Sequence, residues 1–307
     1  MKKIILYIVV LISIPFFVAN FFKTTKEELI ELDYLSNIIV RVKRDNDNIE
    51  NVFLEEYVVG VVAGEMPASF EMEALKAQSV ASRTYVLKKM LDNKNNDYDV
   101  LDTVSNQVYL DDEQLKEKWG EDYVFYLNKI RGAVNDTSME YLEYGGGIID
   151  AMYFSTSNGY TEDSSFAFAN SLPYLKSVES VWDMEVSGGF NFTTSISLQE
   201  FYERLGIEYL DKLNVEVLER SASNRIVKLK INGIVFRGRD VYNKLGLRSC
   251  DFVFTQVGNN VEISTKGYGH GVGMSQYGAY GMAKEGYNYK EILSHYYSGT
   301  NIVKYEK

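Results

Sequence analysis

The sequence predicts an α+β fold behind an amino-terminal membrane anchor. Three observations carry that expectation. Apolar residues recur at helical spacing near both ends of the chain, alternating and turn-rich segments fill the middle, and helical and strand-like stretches are grouped rather than interleaved. Interleaving would have signalled a doubly wound parallel sheet.

Taken in order, Ile38-Ile39-Val40-Arg41-Val42 reads as a short strand ended by the solvated run Lys43 to Glu50. Val52 to Leu91 reads as two helices, with Phe53, Leu54, Tyr57, Val58, Val61 and Val62 forming the first apolar face. Pro67 sets the joint, because it holds the preceding residue out of helical geometry. Ser69 is the expected N-cap of the second helix, whose face carries Ala74, Leu75, Gln78, Ala81, Ser82 and Tyr85. Gln107 to Leu110 is strand-like, Glu113 to Thr137 helical, and Tyr141 to Ser155 reads as paired strands. Leu198 to Leu205 is a short helix. A meander follows from Val215 to Ser264, with Asn232-Gly233 as a hairpin turn. Helices Ser275 to Glu285 and Tyr289 to Tyr296 close the chain.

After Met1-Lys2-Lys3, residues Ile4 to Phe22 carry no charge, and about 20 apolar residues suffice to cross a bilayer core. A cleaved signal peptide is the alternative, but Phe16 to Phe22 offers no small-x-small cleavage site. The expectation is a single-pass anchor over 1–22, a juxtamembrane linker over 23–36 and an extracytoplasmic domain over 37–307, with a β-rich lobe over 186–266. Net charge is −11, from 32 basic and 43 acidic residues, which argues against nucleic acid as a partner. The single Cys250 excludes an intramolecular disulfide and reads as a small buried hydrophobe. The 24 tyrosines suit saccharide surfaces, and they suit a β-rich core equally.

The most informative stretch is Val61 to Tyr85, VVAGEMPASFEMEALKAQSVASRTY. It places Glu65 at the C-terminal end of the first helix, where the macrodipole and apolar neighbours favour a protonated carboxyl. A carboxyl kept neutral near pH 7 is what a general acid needs. A solvated cap ahead of a proline is the plainer reading of the same residue.

This segment resembles the signature of the stage II sporulation protein D family (SpoIID/LytB). Three further blocks extend the likeness: YFSTSNGYTED from Tyr153 to Asp163, FRGRDVYNKLGLRS from Phe236 to Ser249, and GYGHGVGMSQYGAYGMAKEGYNYKEILSHYY from Gly267 to Tyr297. Four ordered blocks cover about Val52 to Val303. The resemblance implies a peptidoglycan lytic transglycosylase. In that chemistry Glu65 protonates the glycosidic oxygen between N-acetylmuramic acid and N-acetylglucosamine, then accepts the proton of the sugar's own 6-hydroxyl, leaving a 1,6-anhydro end. It further implies strands already stripped of stem peptides, and therefore a cell-wall amidase and other membrane-bound wall-remodelling proteins as partners. No cofactor is implied.

Substrate contacts are expected from Gln78, Tyr85, Ser157, Thr161, His270, Ser275, Gln276 and Tyr277, and also from Arg83, which equally suits a structural role. Glu162 is the candidate second carboxyl, or else fastens the turn around Gly159. The glycine-dense run Gly267 to Gly278 lets backbone N–H groups approach a ligand, or forms a tight turn with a packed His270. Some sporulation relatives carry a Cys/His cluster before the Gln-x-Tyr that matches Gln107-Val108-Tyr109. Here Val100 to Asn106 hold neither thiol nor imidazole, and no zinc spacing occurs elsewhere; no metal is expected. A Ser hydrolase is disfavoured by the lack of Gly-x-Ser-x-Gly. The alternative functions are a non-catalytic amidase enhancer that binds wall polymer, and a plain muramidase.

Overall fold

The computed structural model describes residues 29–32, 37–45, 47–167 and 171–305. The expected anchor over 1–22 lies outside these residues, and among the described residues no helix is long and apolar enough to cross a membrane.

The chain is α+β. Strands β1 (Ile39–Lys43) and β2 (Ile49–Phe53) form an antiparallel pair that leads into helix α1 (Leu54–Glu65). Helix α2 (Met72–Asp92) follows across the elbow, and β3 (Val100–Leu101) returns parallel to β1. Helices α3 (Asp112–Trp119) and α4 (Tyr123–Asp136) come next, then β4 (Glu140–Tyr144), β5 (Gly147–Ile148) and β6 (Tyr153–Phe154). The short helices α5 (Ser164–Ala167) and α6 (Asp183–Val186) precede β7 (Asn191–Ser197) and α7 (Leu198–Leu205). Strands β8 (Val215–Arg220), β9 (Ile226–Ile231) and β10 (Ile234–Arg237) lead to α8 (Gly238–Leu245), β11 (Phe252–Val257) and β12 (Asn260–Lys266). The carboxyl end is β13 (Met274–Ser275), α9 (Gln276–Lys284), α10 (Tyr289–Tyr296) and β14 (Asn301–Lys304).

Helix α2 is the axis of the body. All of its residues from Ala77 to Leu87 are buried, which is why its sequence shows small residues instead of a polar face: Ala74, Ala77 and Ala81 let neighbours approach. It packs against α1, α4, α9, α10 and β4. A second apolar cluster joins Leu198, Phe201, Tyr202, Leu229, Ile231, Val241, Phe252 and Ile263. This cluster lies between two three-stranded sheets, β10-β9-β8 and β11-β12-β7.

Four local expectations need correction. The helix expected over 113–137 is split by Gly120, whose φ of 51° favours glycine. The strand expected at Gln107 to Leu110 does not pair as one: Val108, Tyr109 and Leu110 donate their N–H groups to Glu65, Asp102 and the Gly60 carbonyl instead. The meander is divided between two sheets, with α8 between them and β7 joining from upstream. Ser69 is exposed and does not cap; α2 starts at Met72 after a turn closed by the Phe70 N–H on the Pro67 carbonyl at 3.0 Å.

Within the segment read as a linker, residues 29–32 dock on α4. Asn128 Oδ1 accepts the Ile30 N–H at 2.8 Å, Arg131 donates to the Ile30 carbonyl at 2.8 Å, and Asn135 donates to the Glu31 carbonyl at 2.8 Å. Leu32 enters the main core.

Candidate active site

Glu65 ends α1 because Met66 leaves the helix with φ −123° and ψ 139°, the extended geometry that a following proline demands. The elbow is braced from two sides. Lys118 of α3 donates to the Ala63 carbonyl at 2.7 Å, and Lys129 of α4 donates to the Phe70 carbonyl at 2.6 Å. The first of these supplies a cation to a helix end whose last turn has none of its own. From the far side Phe70 stacks on Tyr280 with centroids 4.1 Å apart and meets Tyr277 edge-on at 5.0 Å.

The carboxylate is positioned by a segment that two glycines admit. A Cβ at Gly64 would lie 2.5 Å from the Val108 carbonyl oxygen, and one at Gly60 would lie 2.5 Å from that of Leu110. With both absent, residues 108–110 lie directly on α1, and the Val108 N–H reaches Glu65 Oε1 at 2.7 Å. Burial pushes the Glu65 carboxyl above its ordinary range, and the Val108 hydrogen bond partly offsets that rise.

Around it lies a hydrogen-bonded set of phenols and amides. Tyr57 donates to Gln107 Oε1 at 3.0 Å, and Gln107 Nε2 donates to the Tyr153 hydroxyl at 2.9 Å. Asn106 Nδ2 donates to the Tyr85 hydroxyl at 3.2 Å. Burial raises the phenols of Tyr57, Tyr85 and Tyr153, and the charge of Glu65 adds to each. They therefore stay protonated at neutral pH. Cavities of about 290, 380 and 330 Å³ occur, and Glu65 lines none of these three. It is half-buried, followed in the chain by the exposed Pro67 and Ser69.

Some of the expected substrate residues lie elsewhere. Arg83 is fully buried and cannot reach a ligand at the surface: it pairs with Glu55 at 2.5 Å and donates to the Glu140 carbonyl at 3.1 Å. Glu162 is also buried. Its Oε2 accepts the hydroxyls of Ser221 at 2.6 Å and Ser223 at 2.7 Å, fastening the body to the β-rich lobe. Thr161 is enclosed, with its hydroxyl on the Lys176 carbonyl at 3.0 Å. Ser157 and Ser275 belong to a buried polar knot centred on Asp183, which accepts from the Ser275 hydroxyl at 2.5 Å, the Ser157 N–H at 2.8 Å and the Ser180 hydroxyl at 2.7 Å. Ser275 also caps α9.

Others are better placed. Tyr85 stands in the phenol set. Tyr277 is half-buried against Phe70. Gln78 is as fully buried as Arg83, and Gln276 is nearly so; Gln78 Oε1 and Gln276 Nε2 have no hydrogen-bond partner in the protein. The His270 ring lies at the surface; Nδ1 accepts the Val272 N–H at 3.1 Å, which leaves Nε2–H to donate to the Tyr153 carbonyl at 3.1 Å. That arrangement holds the neutral imidazole. The half-buried Cys250 thiol is pushed up to about 11 by burial and is unreactive. Among the described residues no group of three or more His, Cys, Asp or Glu converges as a metal site.

Sequence reasoning passed over Tyr57, Asn106, Gln107, Tyr153 and Asp183. Gln107 was visible only as the head of a Gln-x-Tyr, and the two glycines one helical turn apart, Gly60 and Gly64, were the available signal that another segment crosses α1 near Glu65.

Comparison with known proteins accords with this picture. A family model described as Stage II sporulation protein (SpoIID) matches residues 43–144, which hold α1, the elbow, α2 and Gln107. A stage II sporulation protein D of Bacillus amyloliquefaciens is 44% identical over 265 residues, covering 85% of this chain and 77% of the relative. The chain belongs to the stage II sporulation protein D family. Its counterpart in Bacillus subtilis (strain 168) is 43% identical over 262 residues, covering 84% of this chain and 76% of the relative. A longer protein of the same organism, named Amidase enhancer, is 30% identical, with 80% of this chain and 40% of that protein aligned. Membership of this family is consistent with a cell-wall-acting enzyme.

Proposed function

We propose that this family member is a membrane-anchored lytic transglycosylase of peptidoglycan, acting outside the cytoplasm on glycan strands freed of stem peptides by a partner amidase. The observation that carries the reading is Glu65 itself: a carboxyl raised by burial, oriented by the Val108 N–H and ringed by protonated phenols. The protonated acid gives its proton to the glycosidic oxygen as the bond to C1 breaks. The carboxylate so formed takes the proton of the 6-hydroxyl as that oxygen closes on C1. No water is consumed, so one carboxyl can serve twice. The two-carboxylate schemes of most glycosidases draw no support from Glu162, which is spent on Ser221 and Ser223.

The test is incubation of the full-length chain, in detergent, with amidase-treated sacculi, followed by mass spectrometry. Anhydro ends from the wild type and none from Glu65→Gln are expected. Products heavier by one water would mark a muramidase instead. A second reading rests on the relative named Amidase enhancer: a wall-binding protein that stimulates an amidase. It predicts strand binding and amidase stimulation unaffected by Glu65→Gln, with no anhydro sugar released.

A further inference from the structure

The proposed reaction leaves one feature of the seam between body and lobe unused. Arg248, just after α8, is half-buried, with its guanidinium carbon 4.2 Å from the centroid of Phe192 on β7 and 4.8 Å from that of Tyr268. Both rings face solvent, with 39% and 48% of their surface exposed. Arg41, Arg44, Arg83 and Arg237 each hold an acidic side chain. Among the described residues, Arg248 has no carboxylate partner and no side-chain hydrogen bond; two aromatic rings flank it instead.

The three residues come from distant parts of the sequence and are held by their backbones. The Arg248 carbonyl accepts the Gly269 N–H at 2.8 Å, and Tyr268 exchanges two backbone hydrogen bonds with Thr156, at 2.7 and 3.0 Å. A guanidinium with unfilled donors forks a carboxylate, and exposed aromatic faces pack against the C–H faces of a sugar. In a chain of net charge −11, a guanidinium without a carboxylate partner is a local exception that favours an anion at that point. The place is also continuous with the site. His270, two residues beyond Tyr268, bonds the Tyr153 carbonyl; the Tyr153 hydroxyl bonds Gln107; and the next residue, Val108, holds Glu65.

We infer that Arg248, between Phe192 and Tyr268, binds a saccharide unit bearing a free carboxylate. Resting on the substrate class proposed above, that carboxylate is the lactyl group of a muramoyl residue whose stem peptide has been removed. With the peptide attached the same position is a neutral amide and offers the guanidinium no charge. The reaction that supplies this substrate is therefore hydrolysis of the lactyl amide, and Arg248 distinguishes its product from its reactant.

The experiment reads binding without turnover. The full-length chain carrying Glu65→Gln, in detergent micelles, is titrated calorimetrically with three tetrasaccharides. One alternates N-acetylglucosamine and N-acetylmuramic acid with free lactyl carboxylates, the second is its lactyl carboxamide, and the third is chitotetraose. The carboxylate form should bind about tenfold to a hundredfold more tightly than the carboxamide, the span expected of a charge-assisted hydrogen-bonded pair. Arg248→Ala should bring that ratio to about one while leaving carboxamide affinity in place. Arg248→Lys, which keeps the charge and loses the fork, should give an intermediate ratio; it also serves if the alanine variant does not fold. Phe192→Ala should weaken all three ligands. A ratio near one in the parent, or one unchanged by Arg248→Ala, would overturn the inference. Persistent cleavage by Glu65→Gln would strike the proposed reaction and leave this ratio untouched.

Discussion

Gly64 and Val108 meet so closely that the first must lack a side chain for the second to hold the neighbouring carboxylate. A Cβ on Gly64 would stand 2.5 Å from the Val108 carbonyl oxygen, while the Val108 N–H lies 2.7 Å from Glu65 Oε1. Packing and site geometry are here the same contact.

Gly64→Ala should therefore lower glycan cleavage and destabilise the fold by about 1–3 kcal/mol, the usual cost of forcing extra volume into a packed contact. Gly132→Ala in α4 is the control: its Cβ would meet only Met72 Cε at 4.0 Å. That change should stabilise by about 0.5–1 kcal/mol through helix propensity. Urea unfolding of both variants, with cleavage assays alongside, checks the pair.

Because burial raises the Glu65 carboxyl, cleavage that needs its proton should persist above the ordinary glutamate range and fall as pH rises through the raised value. Glu65→Gln should reduce cleavage by about 10²–10⁴-fold, the span attributed to a general acid. Stability should move in the matching direction. The folded state binds more protons than the unfolded state in the window between the two values, so the wild type loses stability as pH climbs through it. Glu65→Gln should not show that loss. Thermal melts of both proteins from acid to neutral pH would decide.

Arg83→Met should cost about 3–5 kcal/mol, because it leaves Glu55 charged and unpaired inside the core. The double change with Glu55→Leu should recover much of that. Strand affinity per folded molecule should not change, and a selective rise in KM without loss of stability would count against the buried role.

Glu162→Ala should loosen the seam by about 1–3 kcal/mol through the stranded Ser221 and Ser223 hydroxyls. Folded protein should still cleave glycan. Loss of cleavage with stability intact would restore Glu162 as a second catalytic carboxyl.

The elements nearest the site were legible because each has a local cause. Pro67 places the elbow, helical spacing gives α1 and α2, and Asn288 with Glu291 makes the capping box that starts α10. What stayed hidden was long-range. Val108 to Leu110 have a strand's composition, but their N–H groups go to Glu65, Asp102 and Gly60, residues that the pattern of one segment does not reveal. Ser157, Thr161, Glu162 and Ser275 look like ligand-binding polar residues, yet they are hydrogen-bonded to other parts of the chain inside the protein. A side chain that binds a sugar and one that ties two loops together have the same chemistry. Only burial separates them.

If the proposed membrane anchor is present, the docking of residues 29–32 on α4 limits how far the protein can stray from it. On the proposed topology only residues 23–28 remain between the apolar run and the docked strap, a span of at most about 20 Å when stretched. The catalytic body would then stand close above the lipid, reaching only polymer within that height. Cutting the Asn128, Arg131 and Asn135 contacts would lengthen its leash and widen the zone of wall it can attack.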